Sequence, residues 1–221
     1  MFYSLSEHPL VFKGGSYLWL FHGLNRFSED LDFTALEPVK SGIASNIRDT
    51  LELFGVANHV DVIKDDKYTL TLRIAAQGPL YTSPKDLCFV YVEISRREKV
   101  LEEPITVKLE EYRYGVPLTF LYGMSLAEEI GEKIRALYSR KFARDLYDLH
   151  FLLCSLRISV NIDLINRKLS FYGLKFRVDE FLKHLKGVEE YWEKELKPIV
   201  LGPLPSFNEV FKGVEDVLRK S

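Results

Sequence analysis

At 221 residues and 25.7 kDa the chain is long enough for one large domain or two small ones with a real core, which excludes a peptide hormone or a bare motif. Hydrophobic residues at 47% and charged residues at 28% are ordinary globular values, so neither a disordered chain nor a membrane protein fits. The formal net charge of −2 excludes an overall polycation that coats nucleic acid by charge alone, while leaving room for a local basic surface.

The opening segment, Met1 to Leu10, carries Glu7 and lacks a basic stretch followed by an apolar run. No signal peptide is expected, no stretch is long enough to span a bilayer, and the protein is expected in the cytoplasm. The segment from Lys13 to Phe33, KGGSYLWLFHGLNRFSEDLDF, is the most informative. Gly14 and Gly15 permit a backbone that a Cβ would block, and Ser16 is expected to cap a short helix over Tyr17 to His22. Free N–H groups and a hydroxyl converging at a helix start favour phosphate, although the same turn also serves as a plain helix opening. In Asp30-Leu31-Asp32-Phe33 the alternation of a strand puts both carboxylates on one face and both apolar side chains on the other. Two neighbouring like charges repel, an arrangement suited to a divalent cation such as magnesium, which takes oxygen ligands; the alternative is a solvent-facing strand with two ordinary acids.

Apolar residues at Val39, Ile43, Ile47, Leu51 and Phe54 predict an amphipathic helix over Glu37 to Phe54, stopped by Gly55. Val60 and Val62, then Asp65-Asp66, then Tyr68, Leu70, Leu72 and Ile74 in alternation predict a hairpin. The run Leu87 to Ile94 is apolar almost throughout, as in a strand buried on both faces or nearly so. Glu93 interrupts it. A buried carboxylate without a partner is costly, so Glu93 requires either Arg96 or Arg97 as a partner or an open site. If its strand adjoins that of Asp30 and Asp32, the three carboxylates form a cluster able to hold two metal ions for in-line phosphoryl or nucleotidyl transfer. Cys88 and Cys154, far apart and in apolar company, read as buried thiols rather than a disulfide or zinc ligands.

The character changes between Gly115 and Ser125, dividing the chain into an α/β core over residues 1–118 and a helical domain over 119–221. Ser125 and Glu128 open a helix with Leu126, Ile130, Ile134 and Leu137 on its apolar stripe. A second helix carries Phe142, Leu146, Leu149 and Leu153, with Arg140, Arg144 and Asp148 on another stripe facing a cleft. On helix physics alone, Lys141 with Asp145 and Arg144 with Asp148 are i, i+4 pairs on an exposed face, and Lys133 is a surface lysine. Between Arg157 and Lys186 seven basic residues outnumber three acids, with Phe171, Tyr172 and Phe176 interleaved, either a patch for RNA or a solvated helical face. Helical potential returns from Phe181 to Trp192. Pro198, Pro203 and Pro205 mark a loop, and Ser206 with Glu209 opens a final helix. The five histidines are scattered without metal-ligand spacing, and no covalent-catalysis signature appears, which sets hydrolase chemistry aside.

The order K-G-G-S, a helix, R-F-S-E-D-L-D-F, Glu93 on a later strand and the helical stretch E-K-I-R-A-L-Y-S-R-K-F-A-R-D-L-Y-D-L resembles the AbiEii/AbiGii (MenT-like) toxin branch of the nucleotidyltransferase superfamily, over about Lys13 to Leu153. The resemblance implies an α+β fold, a DNA polymerase β-like minimal nucleotidyltransferase with a small mixed sheet, followed by a helical C-terminal half. It implies a nucleoside triphosphate (NTP) substrate, Mg²⁺ or Mn²⁺, a separate antitoxin protein as partner, no membrane, and, as in some members, the acceptor end of tRNA or another RNA as target. By the same resemblance Gly14, Gly15 and Ser16 hold the triphosphate, Asp30 and Asp32 the metals, and Glu93 a metal or the attacking hydroxyl as base. Lys133 is directed at the triphosphate, Asp145 is catalytic, and Arg144 and Asp148 bind nucleotide. Ser16 keeps the hydroxyl of the threonine also familiar there; Glu93 is one methylene longer than the aspartate that also serves. The expected activity is transfer of a nucleoside monophosphate to a hydroxyl, as a toxin. The alternatives are a nucleotide-binding or interaction protein of the same fold without turnover, and transfer to a protein or small molecule.

Overall fold

The computed structural model describes residues 1–111 and 115–221. The chain forms two compact units, one of Met1–Tyr17 with Glu29–Met124, the other of Leu18–Ser28 with Ser125–Ser221. A division at 118/119 would cut a strand, Val116–Gly123, that lies whole within the first unit.

In the first unit the elements run α1 (Phe2–Ser6), β1 (Leu10–Lys13), the start of α2 (Gly14–His22), β2 (Leu31–Ala35), α3 (Ile43–Leu53), β3 (Asn58–Asp65), β4 (Thr69–Ala76), β5 (Cys88–Ser95), β6 (Ile105–Glu111) and β7 (Val116–Gly123). They make a seven-stranded sheet of order β3-β4-β5-β2-β1-β7-β6, parallel where β2 meets β5 and where β1 meets β7 and antiparallel elsewhere. Register puts Leu70, Ile94, Phe33 and Phe12 in one row across four strands, each no more than 1% exposed, and the rings of Phe12 and Phe33 stack at 4.8 Å. This row is the centre of the first core. α1 and α3 pack with the sheet, α3 burying Ile43 and Ile47.

Three local expectations change. The helix expected from Glu37 starts only at Ile43, because Pro38 and Gly42 interrupt the approach, and Val39 is buried from an irregular segment instead. β5 is not buried on both faces: Val92 and Ile94 are enclosed, whereas Phe89 and Tyr91 are 48% and 41% exposed. Cys88 is exposed and Cys154 half-buried, so neither is the enclosed thiol expected. The hairpin is as read, its turn closed by the Asp66 carboxylate accepting from the N–H groups of Tyr68 and Thr69, both at 2.8 Å.

The second unit is helical: α4 (Leu126–Ser139), α5 (Ala143–His150) running into a π-helical turn at Phe151–Ser155, α6 (Ile162–Ser170), α7 (Val178–Leu185), α8 (Trp192–Leu196) and α9 (Phe207–Leu218). Ser125 caps α4 by accepting from the Glu128 N–H, and Ser206 and Glu209 form a reciprocal capping box on α9. Helix α6, which the sequence reading passed over, is capped by Asn161 and buries Leu164, Ile165, Lys168 and Leu169. Among the described residues no helix is long and apolar enough to cross a membrane. Phe33→Ala is expected to lower unfolding stability by about 3–5 kcal/mol, because it opens a cavity beside Phe12 and Ile94 that the sheet cannot close. Urea denaturation measures this, and an unchanged midpoint contradicts the core row.

Candidate functional site

The β2–β5 pairing that buries Phe33 against Ile94 sets Asp32 opposite Glu93 on the other face of the sheet. Thr71 on β4 and Lys13 on β1 continue that row. Asp32 is half-buried, Glu93 is exposed, and Asp30, two residues before Asp32 and just outside the strand, is half-buried. The strand of Glu93 therefore adjoins that of Asp32. Of the two arginines considered as its partner, Arg96 bonds Asp65, the Asp66 carbonyl and the Val39 carbonyl, and Arg97 lies over the Tyr68 ring at 5.6 Å.

β1 ends at Lys13 and α2 starts at once with Gly14, whose φ of +80° and close neighbour both demand glycine. A Cβ there would stand 2.6 Å from Asp32 Oδ2. Gly15 is buried. Ser16, 1% exposed, lies inside the first helical turn rather than at the cap, and its hydroxyl donates to the Asp30 carbonyl, fastening the approach to β2 onto the helix start. Lys13, on the Asp32 face, is buried against Glu98 at 3.0 Å. The side chains are hard carboxylates, the donor type a magnesium-type ion takes. Among the described residues no three acidic, imidazole or thiol side chains converge tightly enough to form a metal cage as they stand. A cavity of about 860 Å³ lies past the C-terminal ends of β2 and β5, with Lys40, Lys67, Arg96, Arg97 and Lys99 among its lining, and contains none of the carboxylate row. The carboxylate row, not the volume, defines the candidate site.

In the helical unit the other expected residues meet in a buried ion network. Arg26 grips Asp148 through two bonds of 2.6 Å, Lys133 stands 2.7 Å from Asp148 and 3.5 Å from Asp145, and Arg140 holds Asp145 at 2.9 Å. The exposed i, i+4 pairs do not form: Asp145 and Asp148 are enclosed, α5 starting at Ala143 turns both inward, and Lys133 is 6% exposed rather than on the surface. Burial alone would raise the Asp148 carboxyl, but the charges of Arg26 and Lys133 and their hydrogen bonds hold it down to about 2. Lys133 is likewise disfavoured by burial, and attraction to Asp148, Asp145 and Glu129 more than restores its charge. Arg144 is half-buried, 5.1 Å from the Phe142 ring. Arg26 escaped the sequence reading because its partner lies 122 residues away. The one available signal was that two inward aspartates three residues apart need cations.

The basic stretch from Arg157 to Lys186 is smaller as a surface than as a sequence. Lys168 is fully buried between Glu128 at 2.6 Å and Glu132 at 2.9 Å, and Phe176 is in the core against Phe181.

Because the folded carboxyl of Asp148 lies below its ordinary value of 3.8, its stabilisation is complete above that value and lost as pH falls through about 2. Asp148→Asn should therefore lower stability at neutral pH and flatten the acid limb of a denaturation profile. Asp148→Ala, which leaves Arg26 and Lys133 uncompensated, is expected to cost about 3–5 kcal/mol. An acid limb of wild-type steepness in Asp148→Asn contradicts the assignment.

Comparison with known proteins bears on this geometry. Residues 1–217 match the family model described as the nucleotidyl transferase AbiEii toxin of a type IV toxin-antitoxin system. Comparison with curated proteins finds no significant match. Among solved structures, a Helicobacter pylori protein proposed to be a nucleotidyltransferase is 22% identical, with 98% of this chain and 88% of that one covered at a TM-score of 0.65. JHP933 from Helicobacter pylori is 21% identical over 98% of this chain and 85% of that one, with a TM-score of 0.64. MenT4, the nucleotidyltransferase toxin Rv2826c from Mycobacterium tuberculosis H37Rv, is 22% identical over 97% and 78%, with a TM-score of 0.62. At these identities the likeness is one of fold. The family match spans nearly the whole chain and both groups of residues described above, and the chain belongs to the AbiEii nucleotidyltransferase toxin family.

Proposed function

We propose that the protein is a magnesium-dependent toxin that transfers a nucleoside monophosphate from an NTP to a hydroxyl at the 3′ end of an RNA, tRNA being the foremost acceptor. The observation that carries this reading is the Asp32–Glu93 register on the open face, with Asp30 beside it and the Gly14–Ser16 helix start packed onto Asp32. Asp30, Asp32 and Glu93 would hold the divalent cation, which when bound supplies neutralisation of phosphate charge and polarisation of the reacting oxygens. Gly14 and Gly15 let backbone N–H groups approach the triphosphate, while Ser16 keeps the helix start and the Asp30 segment together. The acceptor hydroxyl attacks the α-phosphorus and gives its proton to Glu93 or to water, the new P–O bond forms, and the bond to the departing pyrophosphate breaks. Little covalent help is needed, so positioning dominates.

In the helical unit we read Arg144 and Lys133 as the phosphate-binding cations. Asp145 and Asp148, enclosed together with Lys133, hold Arg140, Lys133 and Arg26 in position. The partners on this reading are an NTP, an RNA and a separate antitoxin protein, met in the cytoplasm.

The test is incubation of the protein and Mg²⁺ with each α-labelled NTP, with and without total tRNA, resolved on a denaturing gel. Label is expected on tRNA with one or few of the nucleotides. Asp30→Asn with Asp32→Asn is expected to abolish it, by 10³-fold or more on the order of losses for electrostatic groups of this kind, with the unfolding curve little changed. An active double variant overturns the site; label on protein or small molecules alone overturns the RNA acceptor.

A further inference from the structure

β5 carries Phe89, Tyr91 and Glu93 at alternate positions, which brings all three to the open face of the sheet. Two large rings there, 48% and 41% exposed, forgo burial on an interior strand of the sheet beside the carboxylate row. β4 shapes their flank. Arg73 pairs in register with Tyr91, lies 5.8 Å from the Phe89 ring, and is fixed by two bonds to Asp61 of 2.7 and 3.2 Å; Ala75, opposite Phe89, leaves that ring's surroundings low. Flat rings with a guanidinium beside them are the surface on which unpaired bases stack, tolerant of base identity.

Strand order decides which substrate this surface meets. β5 lies on one side of β2 and β1 on the other, and β1 runs directly into Gly14–Ser16. In-line displacement requires the attacking oxygen and the departing pyrophosphate on opposite sides of the α-phosphorus. With the triphosphate on the β1 flank, the acceptor arrives over β5. Tyr91 is two residues from Glu93, about 7 Å along the strand, within the reach of one terminal nucleoside.

We propose that Phe89 and Tyr91 are the acceptor-binding platform, stacking the unpaired terminal bases of an RNA strand so that its 3′ hydroxyl arrives at Asp32 and Glu93. The proposal rests on the nucleotidyl-transfer reading above and adds that the acceptor is a single-stranded 3′ end, with a paired, blunt end a poor substrate.

The test compares wild type with Phe89→Ala, Tyr91→Ala and Tyr91→Trp on an RNA hairpin with a single-stranded 3′ overhang and on its blunt form. A second readout is 2-aminopurine fluorescence of the overhang, titrated into Asp30→Asn/Asp32→Asn protein with and without Tyr91→Ala. The alanine variants, folded by circular dichroism, are expected to raise the overhang KM roughly 5- to 100-fold and leave the NTP KM unchanged. Tyr91→Trp is expected to restore it, the blunt form to be labelled weakly by all, and stacking quench to vanish with Tyr91→Ala. Unchanged overhang KM in both alanine variants, with wild type labelling RNA, overturns the platform and leaves the transfer reading standing. A rise in the NTP KM instead assigns the rings to the donor base and also overturns it. Failure of wild type to label any RNA overturns the RNA acceptor and the platform together.

Discussion

The parallel pairing of β2 with β5 decides core and chemistry at once, because a strand has only two faces. Phe33 beside Ile94 is one face of that contact and Asp32 beside Glu93 is the other, so the interaction that excludes water from the rings is the one that aligns the acids. A slip of one residue would send Asp32 into the core and Phe33 into solvent, an error penalised on both faces. The Asp32–Glu93 pair thus needs no loop to align it. Its precision is inherited from hydrophobic burial, the strongest term in the fold.

The helical unit solves a different problem, that of enclosing charge. Lys133, Arg26, Asp145 and Asp148 are each removed from water, and Lys168 with Glu128 and Glu132 repeats the theme between α4 and α6. Such groups gain little net stability from being paired, since attraction mainly offsets lost hydration. What they do fix is geometry. The guanidinium of Arg26 meets Asp148 by two parallel bonds, a fork that tolerates little rotation. Gly131 helps by leaving room where the Lys168 stem passes, 3.2 Å from where its Cβ would be.

Features written in short-range pattern were legible in the sequence. The D-L-D-F alternation gave the facing of Asp32, and the Ser125 and Ser206 caps gave the starts of two helices, because each depends on residues two to four apart. Apolarity misled in β5, where Phe89 and Tyr91 read as buried while they face the open side. Nothing in a residue's own hydropathy tells which side of a sheet is covered. Charge misled in α5 for the converse reason: Asp145 and Asp148 look like surface acids until Arg26 arrives from 122 residues away and Lys133 from the preceding helix. β1, at four residues, is too short for its period to register, although it carries Phe12 at the centre of the core. The helix expected from Glu37 ran too long because a periodic pattern continues through Pro38 and Gly42 where the backbone does not.

Gly14 ties the backbone at the helix start to the position of one acid. The space beside its Cα is filled by the carboxylate of Asp32, and its backbone is in a conformation that side chains resist. One added methyl would displace the acid while leaving every charge, the core row and the rest of the surface as they are. For a member of a toxin family this is a narrow point of vulnerability. On the proposed reading of Asp32, a change at Gly14 is a route to lost activity that alters no charged side chain.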